Sequence, residues 1–283
     1  MMPVKTILSI AGSDPSGGAG LQADLKTFTV LGAYGAAVPT NLTVQNTRGI
    51  KASHPVASFI VRDQIDCVLS DLNVSHIKIG MIGTLDIAEA ILSSLESFAG
   101  EIILDPVLRA SDGSNLTDSI LPITHLAGKA TVLTPNFAEL CALSGTCPNS
   151  TESLIAACQT ILKSFPSLRC IVAKGGHTPN NEGTITDHLV IQNRSGETLH
   201  YAQSHPRVES NNTHGTGCTY ASAFAAYHQK SGDYHQAFMQ SSRFVWQLLK
   251  ASVAFNTGNG RGGLAHHLFF RGGNDYPESF TSS

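Results

Sequence analysis

Short runs of aliphatic and β-branched residues alternate along this chain with segments in which apolar side chains recur every three or four positions. VKTILSI (Val4 to Ile10) predicts a first strand, after which Leu21, Leu25, Phe28 and Leu31 mark one face of a helix. Tyr34 to Leu42 predicts a second strand. Pro55 at a first turn predicts a helix with Val56, Ile60, Val68 and Leu72 inward, followed by a strand over Ser75 to Gly80. Thr84 suits an N-cap, and Leu85, Ala88, Leu92 and Leu95 form a stripe behind it. Further strands are predicted at Glu101 to Asp105, Ala130 to Thr134 and Arg169 to Lys174, with a helix over Thr151 to Phe165.

Strand followed by helix, repeated this often, requires crossover connections and hence an α/β fold: a mostly parallel sheet with helices on both faces. Two antiparallel-looking runs between Gly183 and Gln203 break the alternation. Two helices follow, one from about Gly217 and one from Asp233 to Phe255. No internal repeat or linker divides the chain, so residues 1–270 are expected to form one domain. The polar, unpatterned stretch 271–283 is expected to be a frayed tail.

Composition narrows the function. The 18 Lys+Arg and 21 Asp+Glu give a formal charge of −3, with no basic run, so nucleic acid is not an expected partner. No segment approaches the roughly 20 apolar residues of a membrane span, and the N-terminus reads as a strand, so a cytoplasmic protein without membrane partners is expected. Cys67, Cys141, Cys147, Cys158 and Cys170 lie in apolar periodic segments without ligand spacing and predict buried free thiols. Cys218 stands apart.

In open α/β sheets the ligand crevice lies beyond the carboxyl ends of the strands. GSDPSGGAG (Gly12 to Gly20) follows the first strand. Gly18, Gly20 and Ala23 superficially match a dinucleotide fingerprint, but after Asp24 the next acidic residue is Asp63, so the ribose carboxylate is missing. Later strands end in Asp105-Pro106-Val107, Thr134-Pro135-Asn136 with Glu139, and Lys174-Gly175-Gly176-His177. His214-Gly215-Thr216-Gly217-Cys218 opens a helix of small residues, where free amides and the macrodipole make an anion site. It is not a Walker A loop. The same dipole would favour a thiolate at Cys218. The plain alternative is a capped helix whose small Cys packs inward.

These segments resemble, in order, those of the hydroxymethylpyrimidine and phosphomethylpyrimidine kinases of thiamine biosynthesis, in the ribokinase-like superfamily. The likeness runs from about Val4 to about His267 through ILSIAGSDPSGGAGLQADLKTF, GAYGAAV, VQNTRG, HIKIGMIG, DPV, LTPNFAEL, AKGGH and NTHGTGCT. It implies a three-layer α/β/α fold, ATP with Mg²⁺ as phosphoryl donor, and a small-molecule aminopyrimidine alcohol as acceptor. By position, Ala19, Asp24, Gln45, Met81 and Val107 would line the pyrimidine pocket. Gly215, Gly217 and Cys218 would surround the transferred phosphoryl, with Lys174 neutralising charge. Asn136, Lys174, Thr213 and Arg243 would meet the nucleotide, and Asp105 and Glu139 the metal. Cys218 would either accept the acceptor's proton or orient its hydroxymethyl group. The superfamily analogy also implies a homodimer.

The chain departs from the family pattern at Leu108 and Asp112-Gly113, and at Arg243, where the family often has Lys and where Lys250 follows two turns later. Three other readings stand beside the pyrimidine kinase. These are a pyridoxal or pyridoxine kinase on the same fold, a catalytically dead sensor, and a NAD-dependent oxidoreductase. Gln45 favours the pyrimidine, because an amide matches an amine beside a ring nitrogen.

Overall fold

The computed structural model describes residues 4–108, 119–177, 183–193 and 196–269. Strands β1 (Thr6–Ser13), β2 (Tyr34–Asn46), β4 (Val74–Ile79), β5 (Glu101–Leu104), β6 (Val132–Leu133) and β7 (Cys170–Ala173) form a parallel block. Antiparallel strands extend it at both edges: β3 (Gly49–Pro55) beside β2, and β8 (Thr184–Gln192) then β9 (Thr198–Pro206) beside β7. The order across the sheet is β3-β2-β1-β4-β5-β6-β7-β8-β9.

Strand alternation splits the core in two. Ile102, Leu104 and Ile171 point to one face, whereas Ile103, Cys170 and Val172 point to the other. The first face is covered by α2 (Ser58–Asp71), α3 (Leu85–Ser94), α4 (Leu121–Ala127), α5 (Phe137–Ser144) and α6 (Thr151–Ser164), through residues such as Ile65, Ile91, Leu126, Leu140 and Ile161. The second is covered by α1 (Gly20–Val30), α7 (Thr216–Ser231) and α8 (Tyr234–Ser252), through Phe28, Phe224 and Phe238. This is the expected three-layer architecture. Ala221, Ala223, Ala225 and Ala226 are fully buried, so α7 runs as an inner helix whose small side chains allow close approach on several sides.

Three expectations change. Pro55 does not open a helix: it ends β3, a mostly exposed, polar edge strand that apolar periodicity does not reveal. The following helix starts at Ser58 and buries Val61 and Ile65; Val56 and Val68 pack against the same core as expected, whereas Ile60 is 38% exposed. Helices α4 and α5 span two turns or so, too short to display a repeat.

The cysteines also divide differently. Cys158 and Cys170 are buried free thiols, but Cys67 is exposed on α2. Cys141 and Cys147 form a disulfide, because Gly145, at φ +72°, turns the chain back at the end of α5 and brings their Cα atoms to 4.6 Å. Asp112, Gly113 and the segment 271–283 lie outside the described residues.

Candidate active site

The loop after β1 is organised around a residue that sequence reasoning passed over, Asp14. Its carboxylate accepts hydrogen bonds from Ser16 N (2.8 Å), Ser16 Oγ (2.7 Å), Gly18 N (3.1 Å) and Ala19 N (2.9 Å). Burial opposes its charge, but hydrogen bonds from His214 and Ser16 outweigh that cost and lower its pKa to about 2. The signal was an Asp followed two positions later by Ser in a Gly-rich turn, the pattern of a side chain bonding its own loop. This arrangement also weakens the dinucleotide reading, since the Gly18 and Ala19 amides already hold a carboxylate of the chain itself.

The β1 loop and the start of α7 touch. Gly215 has φ +80°, and a Cβ there would meet the Gly18 carbonyl oxygen at 1.9 Å and Ala19 Cα at 3.0 Å. Glycine is therefore required twice over, by conformation and by space. Across the site, β5, β6 and β7 end together. Lys174 Nζ donates to Asp105 Oδ1 at 2.7 Å, and Thr134 Oγ1 donates to the same oxygen at 3.2 Å. A Cβ on Gly217 would lie 3.3 Å from Lys174 Nζ and 3.7 Å from Asp105 Oδ2, so the pair faces the first turn of α7. Burial disfavours the Lys174 charge, yet Asp105 and Glu139 more than restore it and raise its pKa.

Asn136 and Glu139 form a capping box on α5: Asn136 Oδ1 accepts from Glu139 N (3.0 Å), and Glu139 Oε2 accepts from Asn136 N (2.8 Å). A β-bridge joins Asn136 to Lys174 and brings this helix start to the cation. Burial raises the Glu139 pKa to about 7, with Lys174 opposing and Asp105 adding to the rise.

At the acceptor end, the Gln45 amide lies 3.0 Å from His214 Nε2 and 3.1 Å from Thr43 Oγ1, and His214 Nε2 is 2.8 Å from Asp14 Oδ2. Met81 packs on Gly12, whose missing Cβ would meet its sulfur at 2.9 Å. Ala19 caps α1, and Val107 closes a tight turn through its N–H to Asp105 O at 2.8 Å.

Asp24 does not line this pocket. It is fully enclosed, accepting from Ser9 Oγ (2.6 Å), Ser222 Oγ (2.7 Å) and Lys78 Nζ (2.9 Å), the last also fully buried. A carboxylate without access to solvent or ligand is a tie between α1, β1, β4 and α7. Thr213 precedes the α7 loop, where its carbonyl accepts from Thr216 Oγ1 at 2.7 Å. Arg243 is exposed midway along α8.

Cys218 reverses its expectation. Burial raises the thiol to about 11; Lys78 pulls it down, but Asp24 and Asp105 push it back up. Desolvation and two carboxylates thus hold the thiol above its ordinary range, which favours the protonated sulfur.

Asp105 and Glu139 supply hard oxygen donors, but no cluster of three or more His, Cys, Asp or Glu capable of holding a metal occurs among the described residues. Carboxylate oxygens of this kind are donors that Mg²⁺ accepts, one or two at a time, together with substrate phosphates. Among the described residues no helix is long and apolar enough to cross a membrane.

The chain is similar to known proteins over most of its length. The phosphomethylpyrimidine kinase family model matches residues 14–263. Hydroxymethylpyrimidine/phosphomethylpyrimidine kinases of Rhizobium meliloti and Escherichia coli are 38% and 35% identical, each match covering 92% of this chain and 96% of the relative. Among solved structures, pyridoxal kinase from Staphylococcus aureus in complex with ADP aligns with a TM-score of 0.82 at 28% identity, over 95% of this chain and 96% of that one. Phosphomethylpyrimidine kinase from Clostridium difficile aligns with a TM-score of 0.73 at 30% identity, over 86% and 98%.

Proposed function

This chain belongs to the phosphomethylpyrimidine kinase family, and we propose that it uses ATP to phosphorylate 4-amino-5-hydroxymethyl-2-methylpyrimidine and then the resulting monophosphate to the diphosphate. The observation that carries the reading is the convergence of Lys174 and Asp105 on Gly217 at the start of α7. Phosphoryl transfer asks chiefly for positioning and charge stabilisation. Amides of Gly215 and Gly217 suit the equatorial oxygens of the transferred group, and Lys174 suits the charge that develops on it. The solved ADP and AMP-PCP complexes of the S. aureus kinase support an adenine nucleotide as donor.

Asp105 and Glu139 would hold Mg²⁺ with the phosphates, where the ion supplies charge neutralisation. The acceptor's hydroxymethyl oxygen forms the new P–O bond as the β–γ bridge breaks and ADP leaves. Cys218, with its proton in place, acts as a hydrogen-bonding partner that orients the acceptor oxygen. A loose transition state loses the acceptor proton late, when it can pass to an oxygen of the transferred phosphoryl group and on to water, so a preformed base is not required. Ala19, Gln45, Met81 and Val107 form the acceptor pocket, with Gln45 reading the ring edge. Asn136 and Thr213 border the nucleotide, whereas the exposure of Arg243 argues for a looser contact there.

The reading extends to a cytoplasmic homodimer. The first part extends the sequence expectation, and exposed Leu42, Val44 and Phe59 beside one sheet edge support the second. Cell fractionation and sedimentation test them.

The high structural similarity to pyridoxal kinases favours a second reading, vitamin B6 phosphorylation on the same site. Offering both acceptors with ATP and Mg²⁺ and identifying products by mass spectrometry separates the two. Aminopyrimidine mono- and diphosphates are expected. Pyridoxal phosphate as sole product would overturn the proposal.

A further inference from the structure

The neighbours of the Gln45 amide leave it one orientation. In the structure its Nε2 faces His214 Nε2 at 3.0 Å and its Oε1 faces Thr43 Oγ1 at 3.1 Å. His214 Nε2 also lies 2.8 Å from Asp14 Oδ2. Asp14 is a carboxylate surrounded by the N–H and O–H donors of its own loop, so it can only accept. The proton between Asp14 and His214 therefore resides on His214 Nε2. A protonated Nε2 opposed to an amide NH₂ sets donor against donor.

The other end of the amide makes the same demand. Thr43 Oγ1 lies 2.8 Å from the Ser13 carbonyl oxygen, which can only accept, so its single hydrogen is committed there. Thr43 must then accept from Gln45, and an amide oxygen has nothing to give. Turning the amide exchanges its two ends without changing its shape. His214 Nε2–H then shares its proton between Asp14 and Gln45 Oε1, Gln45 Nε2–H donates to Thr43, and Thr43 donates to Ser13. Every group finds its complement. The His214 ring itself is held against Gly18, whose missing Cβ would meet ring Cδ2 at 2.3 Å.

We propose that Asp14 and His214 are positioning residues that lock the Gln45 amide with its oxygen toward His214 and its nitrogen toward Thr43, and that this lock sets acceptor specificity. The inference rests on the proposed role of Gln45 in reading the acceptor ring. One lone pair on Oε1 and one N–H on Nε2 remain for a ligand. A freely turning amide would match an amine beside a ring nitrogen, and equally a ring carbonyl beside an N–H. A locked amide matches only the first and leaves buried groups unpaired against the second.

Two measurements test this. In ligand-free protein, ¹⁵N NMR of the histidine rings should find His214 protonated at Nε2; a ring protonated only at Nδ1 would overturn the lock. The second is the ratio of kcat/KM for 4-amino-5-hydroxymethyl-2-methylpyrimidine over its 4-oxo analogue. It should fall at least about tenfold in His214→Phe, with KM for ATP unchanged, and recover in His214→Gln, which returns an N–H at similar reach. Thr43→Val should lower the ratio from the other end of the amide and serves if the Phe variant fails to fold. Wild-type ratios in folded His214→Phe and Thr43→Val proteins would overturn the proposal. A wild-type protein inactive on both acceptors would instead sink the functional reading, and the NMR result would still decide whether the proton and the lock exist.

Discussion

Lys174 and Asp105 form a 2.7 Å ion pair that presses against the first turn of α7, the pair being 13% and 2% exposed at its side chains. Lys174→Met should therefore lower kcat by roughly 10²–10³, the range for losing one preorganised group at developing charge. Steady-state kinetics check this, and a kcat within threefold of wild type would exclude the role. The same variant leaves Asp105 and Glu139 without their counter-charge, so a loss of about 3 kcal/mol should appear in urea denaturation.

Lys78 and Asp24 are both fully enclosed, 2.9 Å apart. Lys78→Met should destabilise by about 3–5 kcal/mol, and adding Asp24→Asn should recover part of the loss because the orphaned charge is gone. Asp24→Asn alone should shift Tm while changing acceptor KM less than threefold. A hundredfold rise in KM with unchanged Tm would return Asp24 to the pocket.

With Cys218 raised to about 11 and Cys67 exposed, iodoacetamide at pH 7.5 should modify Cys67 first. Peptide mass spectrometry reads the order. Cys218→Ser keeps a hydrogen-bonding group and should retain kcat within about tenfold, whereas a loss of about 10²–10⁴ would restore a general-base role.

Buried histidines make acid destabilising. Burial lowers His76, which is also repelled by His228, from 6.5 to about 4, and burial lowers His266 to about 4. Between those values the unfolded chain binds protons that the folded chain refuses. Stability is thus full above pH 6.5, falls as pH drops toward 4, and stops changing on their account below that. Each contributes on the order of 2–3 kcal/mol. Asp14, lowered from 3.8 to about 2, extends the loss from about pH 4 to 2. Urea titrations at pH 7 and 4.5 should differ in midpoint, and the difference should shrink in His76→Asn. Identical midpoints would refute the account.

The parallel block and the two long closing helices were legible because their apolar repeats run for many residues. β3 was hidden because an exposed edge strand has no buried face to pattern, and α5 because its start is signalled by a capping box rather than by a repeat. That Asp105, Lys174 and the start of α7 would meet was legible because each stands at the end of a predicted strand or helix. The site was misread where only the third dimension decides. Asp24 faces inward on α1 toward a lysine 54 residues away, and Cys218 gains two carboxylate neighbours that no local motif announces. Asp14 and His214, 200 residues apart, meet only because Gly18 and Gly215 let two loops touch.

Gln45 lies beyond the part of β2 that pairs with β1. That pairing ends at Leu42, and from Thr43 onward the strand partner of β2 is β3, with side-chain bonds from Thr43 to Ser13 and from Gln45 to His214 tying it back to the site. The residue proposed to read the acceptor thus lies on a two-stranded extension of the sheet, while the residues proposed to meet phosphate sit at the ends of the parallel block and on the buried α7. If that role holds, substitutions on this extension change acceptor choice at little cost to the core, because acceptor reading and phosphate handling rest on separate parts of the framework.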